Sequence, residues 1–261
     1  MRLPWTSCLL MAFLLLLGGG RAIPALAQTA RLSDPFRFFR WPVEDTRSVI
    51  GGLASRHVFY AAGAGAVLFG AARFDEALTR EISEISDGPF IRVVEEFGNA
   101  DAVKPMAAMV LLGALMSGEE RFQDAAYTSL EALYLANFFT NALKTFYGRA
   151  RPWQDRGALD FQPFSGNRSF PSGHATTVFA FVTPWFLYYP SYATAGMMVL
   201  AGGTAIARMA TSAHWLTDVI GGAGIGFATA YWLTRRHQGG AVKVRIEPVL
   251  GLNRAGLKLS F

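Results

Sequence analysis

Three short clusters of polar residues, each at one end of an apolar stretch, contain groups that could bind and process a phosphate. The clusters are Lys144, Arg151 and Pro152; Pro171, Ser172, Gly173 and His174; and Arg208, His214 and Asp218. A phosphomonoester is a dianion, so its transfer requires positive charge around the phosphate oxygens. Arginine supplies paired hydrogen bonds and lysine a point charge. The clusters therefore predict a site for phosphoryl transfer.

Each cluster alone also permits a simpler interpretation. Lys144 and Arg151 could belong to an interfacial charge belt at a helix end. The Pro-Ser-Gly turn could be only a helix start capped by Ser172. His214 and Asp218, four residues apart, could form a structural pair. The chain has four histidines, and two of them stand in these clusters together with the cations and Asp218. This combination favours the catalytic interpretation.

His214 is the predicted nucleophile, because Asp218 is expected on the same helical face, where it would orient the imidazole. His174 is predicted to protonate the leaving alkoxide and then to activate water. We expect the phosphate to be bound by Lys144, Arg151 and Arg208. The Ser172 hydroxyl and the Gly173 N–H, at a helix N-terminus, are expected to donate to it as well. No metal or cofactor is expected, since the cations neutralise the substrate.

The elements that must position these residues are predicted to be helices. Six apolar stretches indicate an all-α fold, and they cover residues 57–72, 102–117, 124–143, 174–189, 192–210 and 214–233. Several are apolar on nearly every face and rich in Gly and Ala, which suits close helix packing in a bilayer. A buried soluble bundle is the alternative, because the first two stretches are shorter than a full span and the third contains polar residues.

The N-terminal part of the chain is expected to lie outside the bundle. Residues 1–27 are typical of a secretory signal cleaved after Ala25-Leu26-Ala27, with an uncleaved anchor helix as the alternative. Residues 28–55 are polar and basic, and the prolines at 35 and 42 are expected to break regular structure, which predicts a surface arm.

The helical domain is assigned to residues 56–236 and contains an acidic connector at 73–97, for which an amphipathic helix with a solvated face is expected. Residues 240–261 alternate apolar and polar side chains in two runs around a Gly-containing turn. This pattern predicts a terminal β-hairpin that acts as a structural clip.

Composition excludes several other classes of protein. With 52% apolar and 16% charged residues, the chain is neither disordered, nor collagen-like, nor a coiled coil. Cys8 is the only cysteine, which excludes an intramolecular disulfide or a zinc knuckle. The formal charge of +5 is not gathered into any run of like charges, so nucleic acid is not an expected partner.

At the three clusters the sequence resembles the type 2 phosphatidic acid phosphatase superfamily, whose pattern is K-x6-RP, PSGH and SR-x5-H-x3-D. Every spacing is kept between residues 144 and 218, and the similarity covers about residues 124–234. Ala207 stands where the family usually has Ser before the arginine, which removes a secondary contact to Arg208. The resemblance implies a six-helix bundle that dephosphorylates a phosphate monoester or a lipid pyrophosphate with the roles given above.

The same superfamily includes soluble periplasmic acid phosphatases and vanadium-dependent haloperoxidases, so the fold alone does not choose an activity. The apolar helices favour an integral lipid phosphatase, with a lipid phosphate as substrate and membrane lipids as surroundings. A non-enzymatic membrane transporter or assembly protein, with His174, His214 and Asp218 as a proton relay, accounts for the helices but not for the cations.

These predictions disagree about the side of the membrane on which the site lies. If all six stretches span and the signal is cleaved, the three clusters face the cytoplasm, whereas the export signal and the family's usual orientation favour the periplasm. We expect a periplasm-facing site in the inner membrane of a bacterial cell envelope, with a soluble periplasmic protein as the alternative. At least one premise of the six-span topology must then be wrong.

Overall fold

The protein is described by a computed structural model covering residues 34, 36–52, 57–84, 91, 94, 97–239, 245–251 and 254–260. Its helices are α1 Arg37–Gly52, α2 His57–Ala71, α3 Asp75–Ser83, α4 Ala100–Ser117, α5 Glu120–Tyr147, α6 Gly173–Tyr188, α7 Tyr192–Ala210 and α8 Leu216–His237. Short 3-10 turns occupy Ala72–Phe74 and Pro152–Gln154. Strands β1 Arg245–Gly251 and β2 Arg254–Ser260 pair antiparallel, with Arg245 opposite Ser260.

The centre of the fold is formed by α5, α6 and α8, which pack against one another along their lengths. Two glycines bring α8 unusually close to α6. A Cβ on Gly222 would lie 2.3 Å from the carbonyl oxygen of Ser172, and one on Gly226 would lie 2.4 Å from that of Thr176. Only a residue without a side chain permits this approach. The contact holds the start of α6 directly against the first turns of α8.

The all-α prediction is confirmed, since each of the six apolar stretches corresponds to a helix, α2 and α4 to α8. The amphipathic helix predicted in the acidic connector is α3. The terminal hairpin is also present, with its strands reaching further into the predicted turn than expected. The prediction of a solvated face on α3 is wrong at Asp75, which is fully buried.

Residues 37–52 form a helix that sequence analysis did not predict, and Pro42 lies inside it instead of breaking it. Ion pairs dock this helix onto the bundle. Arg37 Nε lies 2.7 Å from the carboxylate of Asp124 on α5, and Asp45 accepts hydrogen bonds from Arg236 at 2.6 Å and His237 at 2.9 Å at the end of α8. These long-range partners stabilise a helix whose local sequence is unfavourable.

Helices α4 and α7 are the two, among the described residues, that are long and apolar enough to cross a membrane. Both leave much of their apolar surface uncovered, with 22% and 33% of their residues buried. Met116 and Val199 are 88% and 74% exposed. The surface is compatible with lipid contact. The predicted signal at 1–27 lies outside the described residues.

Candidate active site

The fold brings the three polar clusters together at one end of α5, α6 and α8. The Ser172 N–H donates to the carbonyl oxygen of Asp218 at 2.8 Å, which joins the second cluster to the third. The indole Nε1 of Trp215 donates to the carbonyl oxygen of Ala150 at 2.8 Å, which joins the third cluster to the segment carrying Arg151. The predicted site residues thus come from six separate parts of the chain: the end of α5, the following loop, the start of α6, the end of α7, the loop between α7 and α8, and the start of α8.

His214 is buried to 2% exposure in the loop between α7 and α8, where its N–H and that of Ala213 both donate to the carbonyl oxygen of Arg208 at 3.1 Å. The prediction that His214 shares a helical face with Asp218 is therefore wrong, because α8 begins only at Leu216. The two side chains nevertheless meet. His214 Nδ1 lies 3.6 Å from Asp218 Oδ2, slightly beyond hydrogen-bond distance.

Burial, with the positive charges of Lys144 and Arg151 nearby, lowers the pKa of His214 to about 4, although Asp218 opposes the shift. At neutral pH the imidazole is consequently uncharged and retains a free lone pair. An uncharged imidazole with an oriented ring is the form in which histidine acts as a nucleophile.

The low pKa of His214 predicts a pH-dependent stability. The His214 side chain takes up a proton near pH 6.5 in the unfolded chain but only near pH 4 in the folded protein. The contribution of His214 to the free energy of unfolding is therefore fully present above pH 6.5 and is lost as the pH falls toward 4. Lowering the pH from 7.5 to 5 should decrease the free energy of unfolding of the wild type by about 2 kcal/mol more than that of His214→Gln. Denaturant titrations of both proteins at the two pH values measure this difference, and equal losses would contradict the assignment.

Three donors fix the carboxylate of Asp218. Its Oδ2 accepts from Ser169 Oγ at 2.5 Å and from the Trp215 N–H at 2.9 Å, and its Oδ1 accepts from Arg149 Nη1 at 2.6 Å. Burial alone would raise the pKa of Asp218, but the neighbouring imidazole, Arg149 and Ser169 lower it below its usual value. Asp218 therefore remains an ionised and immobile carboxylate facing His214.

Arg149 and Asp75 lie beside the candidate site, and sequence analysis missed both. The Arg149 guanidinium is 1% exposed and also donates to Asp75 Oδ2 at 2.7 Å, to Thr217 Oγ1 at 2.8 Å and to the Ala158 carbonyl. Asp75, at the start of α3, in turn accepts from the N–H of Thr217 at 2.9 Å. A buried Asp-Arg-Asp arrangement thus links α3 and α8 beneath His214. The one available sequence signal was a third cation between Lys144 and Arg151.

The cations crowd around the two histidines. Lys144 is buried, donates from Nζ to the Arg168 carbonyl at 2.8 Å, and has its Cε 3.7 Å from where a Cβ on Gly173 would lie. The charges of Arg208, Lys144 and Arg151 all act on His174, at the second position of α6. Arg168, which the sequence did not single out, adds its charge to the environment of Lys144. Such a concentration of positive charge is suited to a multiply charged anion.

Ser172 occupies the N-cap position of α6, yet its side chain does not cap the helix. Its hydroxyl is buried and, among the described residues, makes no hydrogen bond. The simpler interpretation of the Pro-Ser-Gly turn as a serine-capped helix start is therefore wrong. A buried hydroxyl without a partner is costly unless a ligand supplies one.

The residue that precedes Arg208 is an alanine. Ala207, where the resemblance noted above would place serine, is fully buried, and its carbonyl accepts from Thr211 Oγ1 at 3.0 Å. Within the described residues, Asp45, Glu131 and His237 form the group whose ligand atoms lie close enough for a metal ion. It lies at the C-terminal end of α8, away from His214, and its Asp45 carboxylate is paired with Arg236.

Comparison with known proteins identifies the same region. The chain is 41% identical over 116 residues to a lipid A 1-phosphatase of Rhizobium johnstonii, and 39% identical over 114 residues to that of Rhizobium etli. Each match covers 40% of this chain and 46% or 49% of the relative, so the chain spans about half the length of the curated relatives it matches.

The fold has a counterpart among solved structures. The crystal structure of a transmembrane PAP2 type phosphatidylglycerolphosphate phosphatase from Bacillus subtilis aligns with a TM-score of 0.51 at 17% identity, covering 80% of this chain and 98% of that one. Residues 125–240, which contain all three clusters, match the profile of the PAP2 superfamily. The chain is therefore similar to the PAP2 superfamily over this segment.

Proposed function

We propose that the protein is a metal-independent phosphatase that hydrolyses the phosphate monoester of a lipid through a phosphohistidine at His214. The observation that carries the proposal is the buried, uncharged imidazole of His214 facing a fixed carboxylate within a group of cations. The buried Ser172 hydroxyl, which lacks a hydrogen bond among the described residues, adds a donor suited to a phosphate oxygen.

We assign substrate binding to the predicted residues at the meeting point of α5, α6 and α8. Lys144, Arg151 and Arg208 neutralise the phosphate oxygens, and Ser172 and the Gly173 N–H donate to them at the start of α6, where the helix dipole also favours an anion. Because the Arg168 carbonyl holds Lys144 and the Asp218 carbonyl holds the start of α6 before substrate arrives, we expect little reorganisation as charge develops in the transition state.

The chemistry then proceeds in two displacements. Burial and the nearby cations lower the pKa of His174 to about 3, so His174 is uncharged before substrate binds and takes up a proton together with the phosphate dianion, whose charge offsets the cations. His214 Nε2 attacks phosphorus as the bond to the leaving oxygen breaks, and His174 gives this proton to that oxygen, which releases the lipid alcohol. Asp218 stabilises the positive charge that the imidazole gains. Water then attacks the phosphohistidine as His174 accepts its proton, and inorganic phosphate leaves with His214 restored.

A lipid is the favoured substrate for two reasons. The relatives in the comparison are named for action on lipid A, and α4 and α7 expose apolar surface suited to a membrane. We place the protein in the bacterial cell envelope, with the site facing the periplasm. The product alcohol then remains in the bilayer while phosphate is released into water.

Phosphate release from a panel of lipid and soluble phosphates, measured in EDTA with detergent-purified protein, tests the proposal. We expect turnover of acylated sugar phosphates or phosphatidic acid that exceeds turnover of soluble esters by about 100-fold or more, because apolar binding lowers the barrier. Turnover of soluble esters alone would indicate a soluble acid phosphatase. Loss of activity in EDTA that added metal restores would contradict the metal-independent mechanism.

A further inference from the structure

Helix α1 binds the bundle with one side only. Arg37 Nε lies 2.7 Å from the carboxylate of Asp124 at the start of α5. The Trp41 ring stacks on that of His237, with 3.7 Å between the ring centroids, and Asp45 Oδ2 lies 2.9 Å from His237 Nε2. Residues 37, 41 and 45 are spaced by four, so they share one side of α1, which we call the docked face.

The opposite side of α1 carries an apolar stripe that is open to the surroundings. Phe39, Val43 and Ile50 form this stripe, and each of them is more than half exposed. At about 100° per residue they project within about 40° of one another, nearly opposite the docked face. Phe36, which directly precedes the helix, is also exposed. Large apolar side chains aligned on an exposed face mark an interaction surface.

One edge of the exposed stripe carries arginines. Arg40 and Arg47 lie between the stripe and the docked face, and both are exposed. Arg40 is paired with Asp34 and Glu44, whereas Arg47 makes no ion pair among the described residues. An apolar stripe bordered by arginines is typical of a helix that lies in the interface of a membrane.

The position of α1 in the fold supports a membrane partner. It docks on the first turns of α5 and the last turn of α8, whereas the candidate site lies at the opposite ends of the same two helices. With 28 residues, α5 is about 42 Å long, close to the thickness of about 40–45 Å of a bilayer with its headgroups. A bundle of this length places α1 and the site at opposite surfaces of the membrane.

The end of the bundle that binds α1 also has the composition of a membrane interface. The guanidinium of Arg121 lies over the ring of Tyr189 at 4.6 Å, and that of Arg236 lies over the ring of Trp232 at 5.1 Å. Tyr192, at the start of α7, is almost fully exposed at the same end. Tyrosine and tryptophan are enriched at the level of the lipid headgroups. The surroundings of α1 are therefore suited to lipid.

We propose that α1 is an interfacial helix bound to the membrane leaflet opposite the candidate active site, with Phe39, Val43 and Ile50 inserted among the acyl chains. The inference rests on the membrane placement proposed above, and it does not depend on the phosphatase chemistry. With the site facing the periplasm, this leaflet is the cytoplasmic one, whose anionic headgroups attract Arg47. Through its ion pairs, α1 then fixes the depth at which α5 and α8 sit in the bilayer.

Nitroxide scanning of the full chain in vesicles of phosphatidylethanolamine and phosphatidylglycerol tests the proposal. Single cysteines are placed at the three positions of the exposed stripe and at Glu44 and Arg47 on its edge, in a Cys8→Ser background. All five positions are exposed, so the labels should not affect folding. Oxygen concentrates among acyl chains and a nickel chelate stays in water, so the ratio of oxygen to nickel accessibility should be at least about 3-fold higher on the stripe than on its edge.

A label at Val199, exposed on the apolar helix α7, is the matched control for lipid contact. A stripe accessible to nickel, with Val199 accessible to oxygen, would overturn the interfacial helix and leave the membrane placement of the bundle. Nickel accessibility at both would overturn the membrane placement as well. Low accessibility of the stripe to both reagents would mean that a second copy or another protein covers it, which would overturn the lipid assignment. Phosphate release is not the readout, so each outcome is independent of the phosphatase proposal.

Labelling with a membrane-impermeant maleimide tests the placement on opposite leaflets. Trp153→Cys lies at the site end of the bundle, where the native side chain is exposed, and Arg47→Cys lies on α1. In spheroplasts, Trp153→Cys should react at once, and Arg47→Cys should react only after the membrane is permeabilised. Reaction of both variants from the same side would contradict the proposal.

Discussion

Alanine at position 214 is expected to lower kcat for phosphate release by about 10⁴-fold or more, because loss of a nucleophile removes the covalent route entirely. Loss of a single phosphate donor, as in Ser172→Ala, should cost only about 10²–10³-fold. His214 is buried beside Asp218, and His174 is already assigned to proton transfer, so we expect no second nucleophile. Release of inorganic phosphate by purified wild type and variant, over equal times in EDTA, measures the ratio.

His237→Gln is the matched control for this prediction. His237 is also buried and paired with an aspartate, but it lies at the far end of α8 and contacts Asp45 of α1. Its replacement should leave kcat within about 3-fold. Substantial turnover by His214→Ala would eliminate the covalent mechanism and leave only direct attack by water.

The variant His174→Ala is expected to trap the phosphohistidine intermediate. With a leaving group that needs no protonation, such as p-nitrophenolate, the first displacement should still occur while hydrolysis of the phosphohistidine slows. Radiolabelled phosphate should then accumulate on the protein in a form that is labile to acid and stable to base, as phosphoramidates are. Failure to trap any label in His174→Ala, together with a normal rate for the nitrophenyl ester, would contradict the role given to His174.

Replacing Arg149 with methionine is expected to destabilise the protein by about 3–5 kcal/mol, which is the usual cost of removing one partner from a buried ion pair. The substitution leaves both Asp75 and Asp218 buried without their guanidinium, since each accepts from Arg149 within 2.7 Å. Activity should also fall, because Asp218 would no longer be fixed opposite His214. Denaturant unfolding in detergent, with phosphate release measured in parallel, reports both effects.

A double-mutant cycle with Asp75→Asn identifies the cause of the loss. Asp75→Asn removes one of the two carboxylates, so Arg149→Met in that background should cost at least about 1 kcal/mol less than in wild type. Arg156→Met, at an exposed arginine paired with Asp160 on the surface, is the control and should cost less than about 1 kcal/mol. Additive losses in the cycle would show that Arg149 acts through packing and not through its charge.

Sequence patterns predicted the helices and the three clusters because both depend on local information. Apolar runs of helical length marked the six bundle helices, and residues 144 to 218 retained the spacing of the family motif. The exact relation of His214 to Asp218 was missed for a specific reason. Spacing by four implies a shared helical face only if both residues are helical, and α8 begins after His214.

The supporting residues could not be read from the sequence, since their partners are distant in the chain. Asp75 meets Arg149 across a separation of 74 residues, and Asp45 meets Arg236 across 191. One carboxylate among several in an acidic connector carries no sign of burial. The tertiary structure alone showed that Asp75 contacts Arg149 beside the candidate site and that Pro42 lies in a docked helix.

The glycine contacts between α6 and α8 have a consequence for folding as well as for geometry. Ser172 reaches Asp218 only when the two backbones approach to the distance that Gly222 and Gly226 permit. A loosely collapsed bundle with every helix formed, but with side chains still separating α6 from α8, would hold the two halves of the phosphate site apart. The proposed phosphatase activity would therefore report the last stage of close packing, whereas helix content measured by circular dichroism would report an earlier one.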